Sequence, residues 1–241
     1  MRRLLMPIAT VAVGLIMVSG GGAAQDRPQP PKSGAVTILT DSIIEPSGPA
    51  TLAVYDLVDQ LGRGARIRVL PVAGLGAVGN VSDLLSLRGI DIAVLNSDIF
   101  TFLDQTHELP SARQRLCQLA HLYDQHVYLL ARRNFNVLQD LRGRRLIVGA
   151  RHGGSHITAT TLFSLQRIDV TLVPLGQETI VDDARIGAFD GALFLSSELA
   201  RLRPGAQMQR DFHLLPITLT PTLEATYRPA FDRGRGDPRS R

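Results

Sequence analysis

The stretch ARIRVLPVAGLGAVGNVSDLLSLRGIDIAVLNSD, residues 65–98, decides the fold class. Its first part, Ala65–Val72, brings Ile67, Val69 and Leu70 together in the pattern of a strand. A glycine-rich turn, Gly74–Gly79, comes next. In Val78–Leu87 the apolar residues fall at 78, 81, 84 and 85, which is helical spacing. Asp91–Leu95 is a nearly continuous apolar run, the signature of a strand covered on both faces. Strand, helix and strand in succession imply a parallel sheet with helices laid against it.

The same alternation extends outward. Upstream, Ala35–Thr40 reads as a strand, Asp41–Pro49 as a polar loop and Ala50–Leu61 as a helix. Downstream the pattern pauses at Glu108–Gln118, and Leu119–Arg132 reads as one long extended crossover with His126–Ala131 as its core. A second round begins at Leu138. Asp140-Leu141-Arg142-Gly143 is a helical turn and stop, Leu146–Val148 a strand and Ser155–Leu165 a helix. Val170–Leu175 is then a strand, Thr179–Phe189 a helix, Ala192–Leu195 a strand and His213–Ile217 a last apolar run. Two α/β rounds joined by a crossover predict two lobes, residues 35–125 and 126–218, with a cleft between them. Ligands of open α/β sheets collect beyond the carboxyl ends of the strands.

The ends of the chain read differently. Arg2 and Arg3 precede the apolar run Leu4–Val18, and small residues follow through Ala24. That is the layout of a secretory signal peptide, with cleavage expected after Ala24 and a periplasmic product. The run is about 15 residues, short of the roughly 20 that a membrane span needs. Residues 25–34 form a proline-rich leader containing Pro28, Pro30 and Pro31. Residues 219–241 read as the start of a helix and then a disordered arginine-rich tail. Arg2, Arg3 and the tail from Arg228 supply more than the whole net charge of +4, which leaves the folded body near −1. No basic face for nucleic acid is evident, and Trp is absent. The single cysteine, Cys117, excludes an internal disulfide and lies in the helix-like stretch Ala112–Leu122, where it reads as a small buried hydrophobe.

Gly74-Leu75-Gly76-Ala77-Val78-Gly79 fits GxGxxG, and Asp98 lies downstream where a ribose-binding acid would sit. A nicotinamide enzyme using this turn is the least favoured reading. Exported proteins seldom use diffusible nicotinamide cofactors, and the turn follows the second strand of its lobe. The same glycines could instead present backbone N–H groups to an anion.

Asp140-Leu141-Arg142-Gly143-Arg144-Arg145-Leu146-Ile147-Val148-Gly149, followed by Gly153-Gly154-Ser155 and Thr158-Ala159, resembles a conserved segment of extracytoplasmic solute receptors. Gly79-Asn80-Val81-Ser82-Asp83-Leu84, Asn96-Ser97-Asp98 and Phe189-Asp190-Gly191-Ala192 are similar to further blocks in the same order. Together they resemble the TAXI-type substrate-binding proteins of TRAP transporters, over about Ala35 to Tyr227. The resemblance implies a two-lobed α/β fold of the periplasmic-binding-protein kind (type II). It also implies a small organic carboxylate or amino acid as ligand and the TRAP membrane subunits as partners. Asn80 stands where the family has Ser, and Arg151-His152-Gly153-Gly154-Ser155-His156 replaces its Pro-Gly-Ser-Gly-Thr loop. The short run after Tyr227 leaves a stand-alone exported sensory or accessory binding protein as the second reading.

A binding protein needs polar groups that converge on a desolvated ligand. Ser42, Ser47 and Gly48 lie where a helix begins and could face a carboxylate. Gly79, Asn80, Ser97 and Asp98 line the next strand ends; Asp98 either accepts from a ligand ammonium or caps the following helix. In the second lobe Arg151, Gly154 and Ser155 could clamp the ligand acid, and Ser196 lies at the last strand end. His152 and His156 are four apart but lack a third ligand, so no metal is expected. His121 and His126, near the crossover, read as ordinary partly buried histidines. Asp182-Asp183 reads as a solvated face. No catalytic centre and no cofactor are expected, and the protein reads as a monomer.

Overall fold

The structure, a computed structural model, describes residues 9–18, 35–42, 54–56, 59, 68–74, 76–176 and 179–229. The chain divides into two compact units. The described residues of the N-terminal unit fall within 12–123 and 152–157, and those of the C-terminal unit within 9–11, 124–151 and 158–229. The six residues His152–Ile157 thus belong to the N-terminal unit, although the chain on either side of them belongs to the other.

The N-terminal unit contains β1 (Ala9–Val18, from Ala12 on), β2 (Ala35–Ser42), β3 (Arg68–Gly74), α1 (Ala77–Ser86) and β4 (Ile92–Asn96). Then come α2 (Ile99–Thr106), α3 (Ala112–Arg115) and the first part of β5 (Leu116–Arg132). β2 pairs in parallel with β3 on one side and β4 on the other. β1 runs antiparallel along β4, Val13 opposite Asn96 and Met17 opposite Ile92. The sheet order is therefore β3-β2-β4-β1. Apolar residues of single strands divide between two cores, as a sheet covered on both faces requires. Leu39, Ala93 and Leu95 pack with Val81, Leu84, Phe102 and Ile157, while Ile38 and Val94 pack with Val54.

The C-terminal unit contains the rest of β5, β6 (Arg145–Val148), α4 (Gly154–Leu165, from Thr158 on) and β7 (Thr171–Pro174). It continues through α5 (Asp183–Ile186), β8 (Gly191–Leu195), α6 (Ala206–Asp211), β9 (Phe212–Leu214), α7 (Pro221–Glu224) and β10 (Arg228–Pro229). β6 pairs in parallel with β7 and β8, and β5 runs antiparallel along β8 and β9. The order β7-β6-β8-β5 repeats that of the other unit: second, first and third strands of a round, then an antiparallel neighbour. The two cores alternate again. Leu146 and Val148 face Leu162, Phe163 and Tyr227, whereas Ile147 faces Ile186, Met208 and Phe212. The fold class is that read from the sequence, α/β with mostly parallel sheets and flanking helices.

Three expectations change. The stretch from Ala112 is helical only to Arg115; from Leu116 it is strand, so Cys117 is half-buried on β5 and Leu119 is 46% exposed. The helix expected over Thr179–Phe189 shrinks to Asp183–Ile186, preceded by a bridge between Val181 and Leu202. Asp182 and Asp183 are not a solvated face. Asp182 Oδ1 accepts the Arg185 N–H, and the Asp183 carboxylate accepts three amides, Gly205 and Gln207 at 3.0 Å and Met208 at 2.9 Å, which pins the start of α6. Ala9–Val18, part of the apolar run, is a strand, which leaves the export reading untested. The leader (25–34), the region 43–53, most of 57–67 and the tail from 230 lie outside the described residues. No helix among the described residues is long and apolar enough to cross a membrane.

The two capped aspartates set an acid limit. Burial pushes Asp183 up, but the amides of Met208, Gln207 and Gly205 and the charge of Arg210 together hold it below the usual carboxylate value. The amides of Asn136 and Val137 do the same for Asp140. A carboxylate depressed in the folded state contributes stability in full above its unfolded pKa of roughly 3.9 and loses it as pH falls through the folded value. Thermal midpoints should therefore fall steadily below about pH 4. Asp183→Asn should melt lower at pH 6 and show a shallower acid decline. Parallel acid profiles for variant and parent would remove Asp183 from this role.

Candidate functional site

In each unit the strand order reverses beside the first strand of its round, between β2 and β4 in one and between β6 and β8 in the other. Crevices outside the carboxyl ends at such points are where open α/β sheets bind ligands. The sequence-named residues that the structure describes are placed as follows.

In the N-terminal unit, Asn80 is 1% exposed on α1 and donates through Nδ2 to the Thr40 carbonyl at the end of β2, at 2.9 Å. Its amide lies against Gly74, where a built Cβ would fall 1.8 Å from Asn80 Oδ1. Asn80 therefore ties α1 to the ends of β2 and β3. Ser42 ends β2 opposite Gly74, across an irregularity in the pairing. Ser47 and Gly48 lie outside the described residues. Gly79 is half-buried within α1.

The glycine turn does not hold its first amide open for an anion. The Ala77 N–H, at the start of α1, donates to the His152 carbonyl at 3.0 Å. Gly76 permits that approach. Its φ of 93° suits glycine, and a Cβ there would fall 3.1 Å from the same carbonyl. His152 itself is a non-glycine residue at φ 62°, and its Nε2 lies 3.8 Å from Glu108 Oε2. Its ring meets that of His156 edge to face at 6.0 Å. The loop entering α4 is thus clipped to the glycine turn by backbone and to Glu108 by the His152 side chain. Among the described residues no group of three or more His, Cys, Asp or Glu could hold a metal ion.

Ser97 is half-buried after β4. Asp98, fully buried at the position before α2, makes no cap bond to that helix with its side chain, so the capping role is not realised. Gly154 and Ser155 begin α4, and Ser155 is fully buried. In the C-terminal unit Arg151 is exposed in the loop after β6. Ser196 follows β8, and its Oγ accepts the His126 N–H at 3.2 Å.

Sequence reasoning did not name Glu108, Gln125 or Ser197 and set His126 aside. Gln125 Nε2 donates to Ser197 Oγ at 2.6 Å, and both lie beside Ser196 at the strand ends. The available signal was the polar pair Gln125-His126 standing directly before the apolar run Val127–Ala131. Such a pair at the mouth of a covered strand lies at the sheet's end, where polar groups meet ligands.

No family model matches this chain, and no curated protein matches it. Solved structures do resemble it, at low identity. Holo ArgBP from T. maritima is similar over 78% of this chain and 79% of its own, with 13% identity and a TM-score of 0.46. The effector binding domain of QuiR in complex with shikimate covers 79% of this chain and 92% of its own, at 12% identity and TM-score 0.42. The effector binding domain of a BenM variant covers 81% and 83%, at 11% identity and TM-score 0.43. These are likenesses of fold.

Proposed function

We propose that this chain is an extracytoplasmic solute-binding protein that captures a small organic anion, a carboxylate or an amino acid, for a TRAP-type transporter. One observation carries the reading: buried polar side chains, Asn80, Asp98 and Ser155, gather at strand ends and a helix start in one α/β unit. Asp98 suits a ligand ammonium. Ser155 suits a ligand oxygen, and Arg151 offers a planar fork of donors for a carboxylate. Water exclusion around such groups gives binding its strength.

A thermal-shift screen of the purified protein against amino acids, dicarboxylic acids and NAD tests this. A ligand that binds only the folded state adds RT ln(1 + [L]/Kd), about 2.7 kcal/mol at a hundredfold excess over Kd. One class of small acids should raise the midpoint. A rise with NAD and with no acid would replace the reading by a nucleotide-binding one.

Two companions follow. Arg151→Ala should weaken binding of the stabilising acid at least tenfold by calorimetric titration; an unchanged affinity removes Arg151 from the site. The export reading places the product in the periplasm. Its intact mass should correspond to a chain starting at Gln25, and a mass that includes residues 1–24 would contradict cleavage.

A further inference from the structure

His126 sits on β5 where that strand runs antiparallel to β8, one step beyond the Val127–Leu195 pair. Its backbone N–H is satisfied by Ser196 Oγ. Its side chain is not: Nδ1 is sealed from solvent and has no hydrogen-bond partner. A buried polar atom left without a partner is costly. Around it lie Gln125, its neighbour on β5, bonded to Ser197, and Ser196, which follows β8. A histidine kept only for packing would be better served by an apolar side chain at this position. A histidine kept for a ligand accepts this cost in the empty state.

We propose that His126, with Ser196 and Ser197, forms a ligand subsite of the C-terminal unit in which imidazole Nδ1 hydrogen-bonds an oxygen of the bound organic acid. The proposal rests on the solute-binding reading and adds to it a residue and a contact. An imidazole N–H to a carboxylate oxygen is a charge-assisted bond, and loss of such bonds costs tenfold or more in affinity. The Ser196 and Ser197 hydroxyls, each already accepting one hydrogen bond, retain their own O–H to offer a second oxygen.

The test uses the full chain with L-glutamate and succinate as probes, and three proteins: the parent, His126→Phe and His126→Asn. Phenylalanine fills the ring's place without a polar atom. Asparagine keeps a donor close to the position of Nδ1. Calorimetric titration should show at least tenfold weaker binding for His126→Phe and less than threefold loss for His126→Asn. The ligand-free midpoint of His126→Phe should equal or exceed that of the parent, since the unmade bond is gone. Equal affinities in parent and His126→Phe would overturn the subsite while the solute-binding reading stands. A lowered ligand-free midpoint with affinity retained would make His126 a packing residue. Absence of binding to either probe by the parent itself would overturn the carboxylate reading and the subsite with it.

Discussion

Gly191→Val is expected to leave no cooperatively folded C-terminal unit. Gly191 opens β8, buried between β5 and β6, opposite Ala131 on one and Leu146 on the other. A Cβ at this position would fall 2.3 Å from the Leu130 carbonyl oxygen and 3.0 Å from Leu146 Cδ2. The first contact is with backbone in a paired strand, so relief requires β5 itself to move. Overpacking of a core costs about 1–3 kcal/mol and more when backbone must shift, which places alanine near the top of that range and valine beyond it. For a chain of this size each kcal/mol lowers the midpoint by about 2–4 °C. Circular dichroism melts should show Gly191→Ala about 6–12 °C below the parent, and Gly191→Val should show no transition. A Gly191→Val protein melting with the parent would mean that β5 and β8 do not lie in this register.

Gly74→Ala should damage the candidate site as severely as the fold. The added methyl would occupy the place of the Asn80 amide. Driving that amide out breaks its bond to the Thr40 carbonyl and strands a buried group, for about 1–3 kcal/mol. Asn80→Ala removes the same bond without the clash. The double variant Gly74→Ala/Asn80→Ala should therefore be more stable than the sum of the two losses allows, a coupling that neighbouring residues show and distant ones do not. Urea denaturation of the four proteins measures the cycle. Strict additivity would show that Asn80 does not pack on Gly74.

Much of this architecture was legible because covered parallel strands leave a plain mark. Leu146-Ile147-Val148 is apolar without a break, and the structure splits it between two cores exactly because both faces are covered. Where the reading failed, one pattern was degenerate. Ala112–Leu122 mixes apolar and polar residues in a way that fits helix over four residues and strand over the rest, and β5 pairing decided the outcome. The Asp183 role was hidden because its three amides come from residues 205–208, more than twenty positions away.

The site was legible by class more than by residue. Strand-end loops could be marked from the alternation alone; Ser97 and Asp98 lie in the one after β4, whereas Asn80 lies on α1 and Ser155 at the start of α4. Which atom of each is committed elsewhere could not be read in advance. The Asn80 amide bonded to Thr40 and the Ala77 N–H taken by His152 depend on chain segments that meet only after folding.

Calorimetric titration of the purified protein with L-glutamate and succinate, beside NAD, tests the central claim most directly. The account predicts saturable heat with an acid at a single site per chain and none with NAD. Heat with NAD alone, or none with any acid across the amino and dicarboxylic series, would contradict it.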